Sequence, residues 1–252
     1  DGTWVAGDWS QPGGINTTYY VKPLGSGNAN SERIYTEFDK VALIANAHAV
    51  TMQNLTFILA GTQCLALSGA GVSTVTGNTF SKCAAEAISV VGASDYATIT
   101  DNTISESGNG IYFIATDTAG NSDYAVVTGN TITNLDQSRY YSDFTTDNCG
   151  LCIQGGTHNY FADNTIEHLA GLCIDIYVFA AQTQTDNLFV RNTCTDVRDT
   201  SGLSPLRQYG IQTEGDAVGY VANNVVNNVI SGNVLTDVTS SCFYLVSSNP
   251  TV

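Results

Sequence analysis

Two carboxylates in the second half of the chain have types and a spacing that suit glycoside chemistry. Asp175 sits inside a short apolar segment, and Glu214 follows the next copy of that segment. Hydrolysis of a neutral glycan needs two carboxyl groups on one face, roughly 5 to 10 Å apart. Aromatic rings that could stack on sugars lie in or beside equivalent segments, at Tyr112, Tyr177 and Tyr244. The simpler interpretation of the two carboxylates is a solvated acidic face.

The seven cysteines are the second group of residues that could take part in chemistry. In a secreted protein an odd number leaves one without an internal partner, which favours an intermolecular bond or a free thiol. Cys149 and Cys152 have CxxC spacing, but no second pair follows and only His158 is near, so we expect a disulfide or two packed thiols rather than zinc. Buried free thiols are the alternative for the others. The candidates for a disulfide or an assembly contact are Cys64, Cys149, Cys152, Cys173 and Cys242.

Cofactor signals are weak throughout the sequence. Three histidines and one methionine are too few for a copper site of the type that such ligands form. No dense Asp-x-Asp loop marks a calcium site, so calcium on the acidic surface is the one ion that we consider. We therefore predict no cofactor.

A repeat must position all of these residues. A unit of the form hydrophobic-x-Gly/Asp-Asn-Thr-hydrophobic returns along the chain in strict or looser copies, at steps of 24 residues or more, which indicates a solenoid with loops of variable length. Near the C terminus, the segment around Asn223 is an alternative corner. The asparagines that mark the repeat are Asn54, Asn78, Asn102, Asn130, Asn164, Asn192 and Asn233.

A second apolar segment recurs between these asparagines and places one mixed residue outward. The outward positions are Ala66, Ser89, Tyr112, Cys152, Asp175, Gln212 and Tyr244. Such columns make sense only if successive coils stack in register, about 4.8 Å apart. Aligned asparagines can then hydrogen-bond from coil to coil at a sharp turn, so we predict that the asparagine ladder is structural.

The repeat unit resembles that of right-handed parallel β-helix proteins of the pectate-lyase-like and NosD-like superfamily. The resemblance covers about residues 41–252 and implies an all-β solenoid of about seven to eight coils. Many proteins of this superfamily act on acidic polysaccharides, so we compared the sequence with the catalytic motifs that such enzymes need. Lyases of the family need a Lys or Arg base on an outward face, and no outward column is predicted to carry one. The polygalacturonase-like and epimerase-like motifs are also absent.

The amino-acid composition limits the kinds of binding partner that the protein can have. Only 8 basic residues oppose 23 acidic ones, a formal charge of −15, so nucleic acid and uronate chains are disfavoured. No apolar run of 18 residues predicts a membrane span. A chain rich in Asn, Thr, Ser and Gly suits an extracellular β protein at the cell surface, and Asp1 fits either a mature terminus after signal cleavage or a trimmed fragment.

The domain prediction has two parts. Residues 1–37 lack the repeat and hold both tryptophans, which suggests an N-terminal cap or arm over the open end of the solenoid. Residues 38–252 form the β-helix, with loop insertions at 117–123, 136–148 and 199–208. The short tail shows no helix that could cover the last coil.

The favoured hypothesis from sequence is an extracellular structural protein that assembles with copies of itself into a sheath, tube, layer or fibre. Open coil edges and an unpaired cysteine, above all Cys242 in the last coil, support it. The alternatives are a polysaccharide-active enzyme, either a glycoside hydrolase or a lyase, and a glycan-binding adhesin.

Overall fold

The computed structural model describes residues 33–35, 40–45, 49–115, 121–135, 148–178, 184–198, 208–214 and 225–246. Every regular element in these ranges is a strand. In chain order the strands are β1 (Arg33–Tyr35), β2 (Lys40–Ala45), β3 (Thr51–Gln53), β4 (Thr56–Ala60), β5 (Gln63–Ser68), β6 (Thr74–Thr76), β7 (Thr79–Cys83), β8 (Glu86–Val91), β9 (Thr98–Thr100), β10 (Thr103–Ser105), β11 (Asn109–Ile114), β12 (Val126–Thr128), β13 (Thr131–Leu135), β14 (Leu151–Gln154), β15 (Gly156–Thr157), β16 (Tyr160–Ala162), β17 (Thr165–Leu169), β18 (Ile174–Tyr177), β19 (Gln184–Thr185), β20 (Leu188–Val190), β21 (Thr193–Val197), β22 (Tyr209–Glu214), β23 (Val225–Val226), β24 (Val229–Ser231), β25 (Val234–Val238) and β26 (Ser241–Val246).

The strands form three long parallel sheets, each built from one strand per coil. Sheet A has the order β1-β4-β7-β10-β13-β17-β21-β25, sheet B the order β2-β5-β8-β11-β14-β18-β22-β26, and sheet C the order β3-β6-β9-β12-β16-β20-β24. A short fourth sheet joins β15, β19 and β23. Because each strand pairs with its equivalent in the next coil, the chain winds as a parallel β-helix. The predicted solenoid of about seven to eight coils is confirmed.

The core lies inside this coil and consists of stacked identical positions. Val75, Ile99 and Val127 are paired neighbours in sheet C and are fully buried. Aromatic rings stack in the same way, with 4.8 Å between the ring centroids of Phe57 and Phe80. Where coils approach most closely only glycine fits, since a Cβ at Gly110 would lie 2.4 Å from the carbonyl oxygen of Gly150.

A ladder of asparagines closes the corner between sheets C and A. The side-chain Oδ1 of Asn102 accepts from the backbone N–H of Asn78 at 2.9 Å, and its Nδ2 donates to the carbonyl of Val75 at 3.0 Å. The same contacts recur down the rod, and the asparagines are buried through Asn192. The members are Asn78, Asn102, Asn130, Asn164, Asn192 and Asn233.

Asn54 does not belong to this ladder, so that prediction is wrong. Pairing of Met52 with Val75 and of Thr56 with Thr79 aligns Asn54 with Gly77 and places Leu55 opposite Asn78. The Leu55 N–H donates to Asn78 Oδ1 at 2.9 Å, while Asn54 has a φ of 57°. Asn54 therefore fills the left-handed corner position, which glycine and asparagine tolerate best.

A second asparagine ladder, which the sequence analysis missed, closes the corner that precedes sheet C. Asn187 Oδ1 accepts from the Asn159 N–H at 2.8 Å, and Asn228 Oδ1 accepts from the Asn187 N–H at 3.0 Å. Each of these residues lies five positions before a member of the first ladder. That fixed offset was the signal that could have revealed it.

Two disulfides join neighbouring coils through the core. They link Cys64 to Cys83 and Cys173 to Cys194. Of the cysteines predicted as disulfide or assembly candidates, Cys64 and Cys173 therefore form disulfides within the chain. Cys149 and Cys152 are buried thiols that take part in neither disulfide, and Cys242 is an exposed thiol.

The predicted cap and loops fall mostly outside the described residues. The described part of segment 1–37 is β1, which pairs with β4 as a regular rung of sheet A, so the stack already begins at Arg33. The tail after residue 246 and the greater part of each of the three insertions also lie outside the described ranges.

We predict that Asn130→Ala lowers the free energy of unfolding by about 2–4 kcal/mol, because the buried backbone groups that hydrogen-bond to this side chain would be left unsatisfied. Asn130 Oδ1 accepts from the Asn102 N–H, and its Nδ2 donates to the Ile99 carbonyl. Urea denaturation followed by circular dichroism measures the change. The matched control is Asn134→Gly, which removes an exposed amide at a φ of 55° that glycine adopts, and should change stability by less than about 0.5 kcal/mol. Equal effects of the two substitutions would contradict the ladder's role.

We predict that the Cys64→Ala/Cys83→Ala double variant loses about 3 kcal/mol of stability, because the bond closes a loop with a sequence separation of 19. Cys242→Ser should leave the urea midpoint unchanged. Alkylation of the denatured, unreduced protein should label three cysteines by mass spectrometry: Cys149, Cys152 and Cys242. Labelling of all seven would show that the two bonds do not form.

Candidate functional site

The surface of sheet B that points away from the core carries the residues most suited to catalysis or binding. We call this surface the sheet B outer face. Its middle column is in register along the rod and carries the residues expected from the sequence. The column runs through Ala66, Ser89, Tyr112, Cys152, Asp175, Gln212 and Tyr244. Two flanking columns add further polar groups, of which Glu86, Asn109 and Gln154 are buried.

Burial of this face contradicts the interpretation as a solvated acidic wall. Asp175 is only 3% exposed and Gln212 is fully buried, although both lie outside the solenoid core. Alternation along a strand fixes the face on which a side chain lies, but burial of that face depends on what packs against it. Since charged groups are seldom buried without partners, a carboxylate in this position marks a functional candidate.

Asp175 is held by neighbours on its own strand and the next. The Gln212 Nε2 donates to Asp175 Oδ1 at 3.3 Å, across the pair formed by β18 and β22. Tyr177 lies two residues further along β18 on the same face and is buried. The carboxylate therefore sits among an amide, a phenol and the Cys152 position of the preceding strand.

The tyrosines do not form the open sugar platform that the sequence suggested. The hydroxyl groups of Tyr112 and Tyr177 hydrogen-bond to each other, and their ring centroids are 6.5 Å apart. Burial, reinforced by Tyr112, raises the pKa of Tyr177 far above its ordinary value, so this phenol stays protonated. Tyr244 stacks on Tyr209 with centroids 4.4 Å apart and is partly exposed in the last described coil.

One polar atom of this cluster lacks a partner within the described part of the chain. The Oε1 of Gln212 is buried and accepts no hydrogen bond there. A buried unsatisfied acceptor is costly for stability and usually signals a missing water, ion or ligand group. It lies on the residue that also donates to Asp175, so the two oxygens belong to one polar site.

Glu214 is the last residue of β22 and pairs with Tyr177. Asp175 pairs with Gln212, two residues before Glu214. Asp175 and Glu214 therefore lie on adjacent strands and are displaced from each other by two residues along the strand direction. Strand geometry makes that separation roughly 8 Å between Cα atoms. The backbones of Asp175 and Glu214 therefore lie at adjoining positions on neighbouring strands, and their joint role stays a prediction.

The CxxC pair belongs to a small apolar cluster rather than a metal site. Cys149, Cys152 and Leu172 are buried together against Tyr112 and Tyr209. His158 is not near them, since its ring stacks on Tyr124. No group of three or more His, Cys, Asp or Glu side chains that could hold a metal occurs among the described residues. The arrangement is that of packed thiols, and calcium on the acidic surface stays a prediction.

Described basic residues mostly pair at corners away from this face. Arg191 donates to both carboxylate oxygens of Asp163, at 2.8 and 2.7 Å, and this hydrogen bonding lowers the pKa of Asp163. His168 and Arg198 both contact Asp196. The backbone of Lys40 pairs with that of Gln63 in sheet B. It lies in the first coil of sheet B, five strands from β18.

The last described coil leaves core positions uncovered. Phe243 pairs with the fully buried Ile211, yet it is 52% exposed. Val234, which lies in an outward column of sheet A, is exposed to a similar degree, and the exposed Cys242 precedes Phe243 in β26. No helix in the described part of the chain is long and apolar enough to cross a membrane.

Stacked coils with in-register sheets and a polar cluster on one outer face define a parallel β-helix protein. The chain belongs to the right-handed β-helix family, because the family model described as "Right handed beta helix region" matches residues 40–252. The handedness and family expected from the repeat are confirmed.

Two solved structures are similar to the chain. It is similar to DFA-IIIase from Arthrobacter chlorophenolicus A6 without its lid, with 14% identity, a TM-score of 0.45, and coverage of 85% of this chain and 56% of that one. It is also similar to a hyperthermoactive exopolygalacturonase from Thermotoga maritima, with 12% identity, a TM-score of 0.46, and coverage of 77% and 51%. The chain thus spans about half the length of both. A comparison with curated proteins found no match.

Proposed function

We propose that this protein is an extracellular glycoside hydrolase that acts on a neutral glycan at the sheet B outer face. The observation that carries the proposal is the buried carboxylate of Asp175, which lies outside the core, beside an unsatisfied Gln212 oxygen. A second carboxylate, Glu214, belongs to the neighbouring strand.

In this proposal Asp175 is the general acid. A carboxyl group shielded from water suits protonation of the glycosidic oxygen as the bond to the leaving sugar breaks. Glu214 is the second carboxylate, which either attacks the anomeric carbon or removes a proton from the attacking water. Gln212 orients Asp175 through its Nε2, and its Oε1 is available to accept from a sugar hydroxyl.

Charge favours a neutral substrate over an acidic one. The chain carries a formal charge of −15, which repels uronate chains. Lys40, whose backbone belongs to β2, is five strands from Asp175 along sheet B and so is remote from the reaction that a lyase base would perform. Two disulfides support an oxidising, extracellular compartment.

We predict that Asp175→Asn lowers hydrolysis on the order of 10²–10⁴-fold, because the amide cannot donate the proton that the leaving group needs. Reducing-sugar release from a panel of neutral polysaccharides measures the change. Asp163→Asn, which alters an exposed carboxylate at a corner, is the matched control and should retain full activity. Thermal denaturation of both variants checks that the fold is intact. Absence of hydrolysis by the wild type, or full activity of Asp175→Asn, would refute the assignment.

A second candidate function is association of copies through the last described coil. Phe243 is half exposed although it pairs with a core position, Val234 is an exposed apolar residue of the same coil, and a second copy could cover both. The exposed Cys242 thiol at this surface offers a covalent contact. This keeps the self-assembling surface protein as a hypothesis alongside the enzyme.

For that candidate we expect a disulfide-linked dimer on non-reducing gels that Cys242→Ser abolishes. Cys149→Ser, which changes a buried thiol, should leave the dimer intact. Light scattering with and without reductant measures the mass in solution. A monodisperse monomer under both conditions would remove the support for assembly.

A further inference from the structure

Three exposed aromatic side chains stack along the corner that leads into sheet C. The ring centroids of Tyr96 and Tyr124 are 5.1 Å apart with a 9° interplanar angle, and those of Tyr124 and His158 are 5.0 Å apart with a 16° angle. We call these three residues the aromatic column. Tyr96 is 55% exposed and Tyr124 is 46% exposed, so stacking leaves about half of each tyrosine open to solvent.

The backbone at these residues is of a kind that bulky side chains avoid. Tyr96, Tyr124 and His158 have φ values of 60°, 58° and 58°. Later coils fill the same position with Asp186 and Asn227, which tolerate this conformation better. The earlier Val72 has the same conformation, so the left-handed backbone belongs to the corner itself. What distinguishes these three coils is an aromatic ring that stays exposed at this position.

An apolar strip continues beside the aromatic column onto sheet C. The first outward column of that sheet carries Val126, Tyr160, Leu188 and Val229, which pair in register along the rod. Val126, Leu188 and Val229 are exposed. Together with the aromatic column they form a continuous aromatic and aliphatic surface that runs parallel to the rod axis.

The corner beside the aromatic column carries carboxylates, while further along the strip Arg191 donates to the Tyr160 hydroxyl and pairs with Asp163. Asp95 and Asp123 lie next to Tyr96 and Tyr124 in the chain, and each accepts a backbone N–H from the next coil. Asp186 continues the corner. Carboxylates here repel polyanions. The ring centroids are 5.1 and 5.0 Å apart, about the length of one sugar unit along an extended β-linked glycan chain. Because the rings stack on one another, they offer a ligand their outer edges and hydroxyl groups, and the hydroxyl groups can hydrogen-bond to sugar hydroxyls.

We infer that the aromatic column and its apolar strip bind an extended, neutral, β-linked polysaccharide chain along the rod axis. This glycan-binding surface lies on the sheet C side, whereas the proposed catalytic carboxylates lie on sheet B. It rests on the proposed function in taking a glycan as the ligand, and it gives the protein a means of holding a long chain.

The test is the Tyr96→Asn/Tyr124→Asn double variant, measured by affinity electrophoresis in soluble β-glucan, xylan and mannan. Binding to the glycan that wild type prefers should weaken at least tenfold. The melting temperature should stay unchanged or rise, because asparagine accepts the left-handed backbone that tyrosine resists. A merely structural stack would show the opposite, namely a lower melting temperature with binding retained.

Leu59→Asn is the matched control, since Leu59 is an exposed apolar residue at a φ of 63° on a different corner. It should bind glycan like wild type. The inference is overturned if wild type binds none of the three glycans, if it binds only a basic peptide, or if the double variant binds normally. Asp175→Asn separates the two proposals, because it should keep binding while losing hydrolysis. Binding that depends on the tyrosines without any hydrolysis would reject the enzyme alone.

Discussion

The structure depends on the asparagine carboxamide that links each coil to the next. Each buried amide of the first ladder accepts from the backbone and side chain of the preceding asparagine, and it donates to a main-chain carbonyl of that same preceding coil and to the side-chain oxygen of the next asparagine. A parallel sheet has no tight turn to set its register, so the corner must do so. A shift of one residue would orphan these groups and turn the buried columns outward. The core, the disulfides and the outer columns all inherit their alignment from this contact.

Much of the fold was predictable because the asparagine and its threonine recur with large apolar neighbours. The first copy misled, because Asn54 shares the residue type but sits one position early, where Leu55 fills the ladder. The second ladder was visible only as a constant offset of five from Asn159 to Asn164 and from Asn187 to Asn192. Disulfide partners could not be assigned, because several cysteines occupy core positions and sequence does not show which face each other.

The candidate site was predictable in its residues but not in its environment. Alternation placed Asp175 and Gln212 on one outward column, and the structure keeps them there. Their burial comes from packing against the outside of sheet B, which strand periodicity cannot reveal. That difference changes the chemistry, since a carboxylate shielded from water behaves unlike one on a solvated wall. The exposed tyrosines of the sheet C corner were missed for a related reason, because a strained backbone leaves no pattern in the sequence.

The placement of the two disulfides has a mechanical consequence. Repeat proteins contact only their nearest neighbours, so they come apart by losing coils from the tips inward. The disulfides Cys64–Cys83 and Cys173–Cys194 each link two successive coils covalently. A protease that cleaves frayed terminal coils would therefore stop at the two disulfides and leave a resistant fragment of about residues 64–194. That fragment includes Asp175 and the aromatic column but excludes Glu214, so digestion would part the two carboxylates while leaving the rings in place.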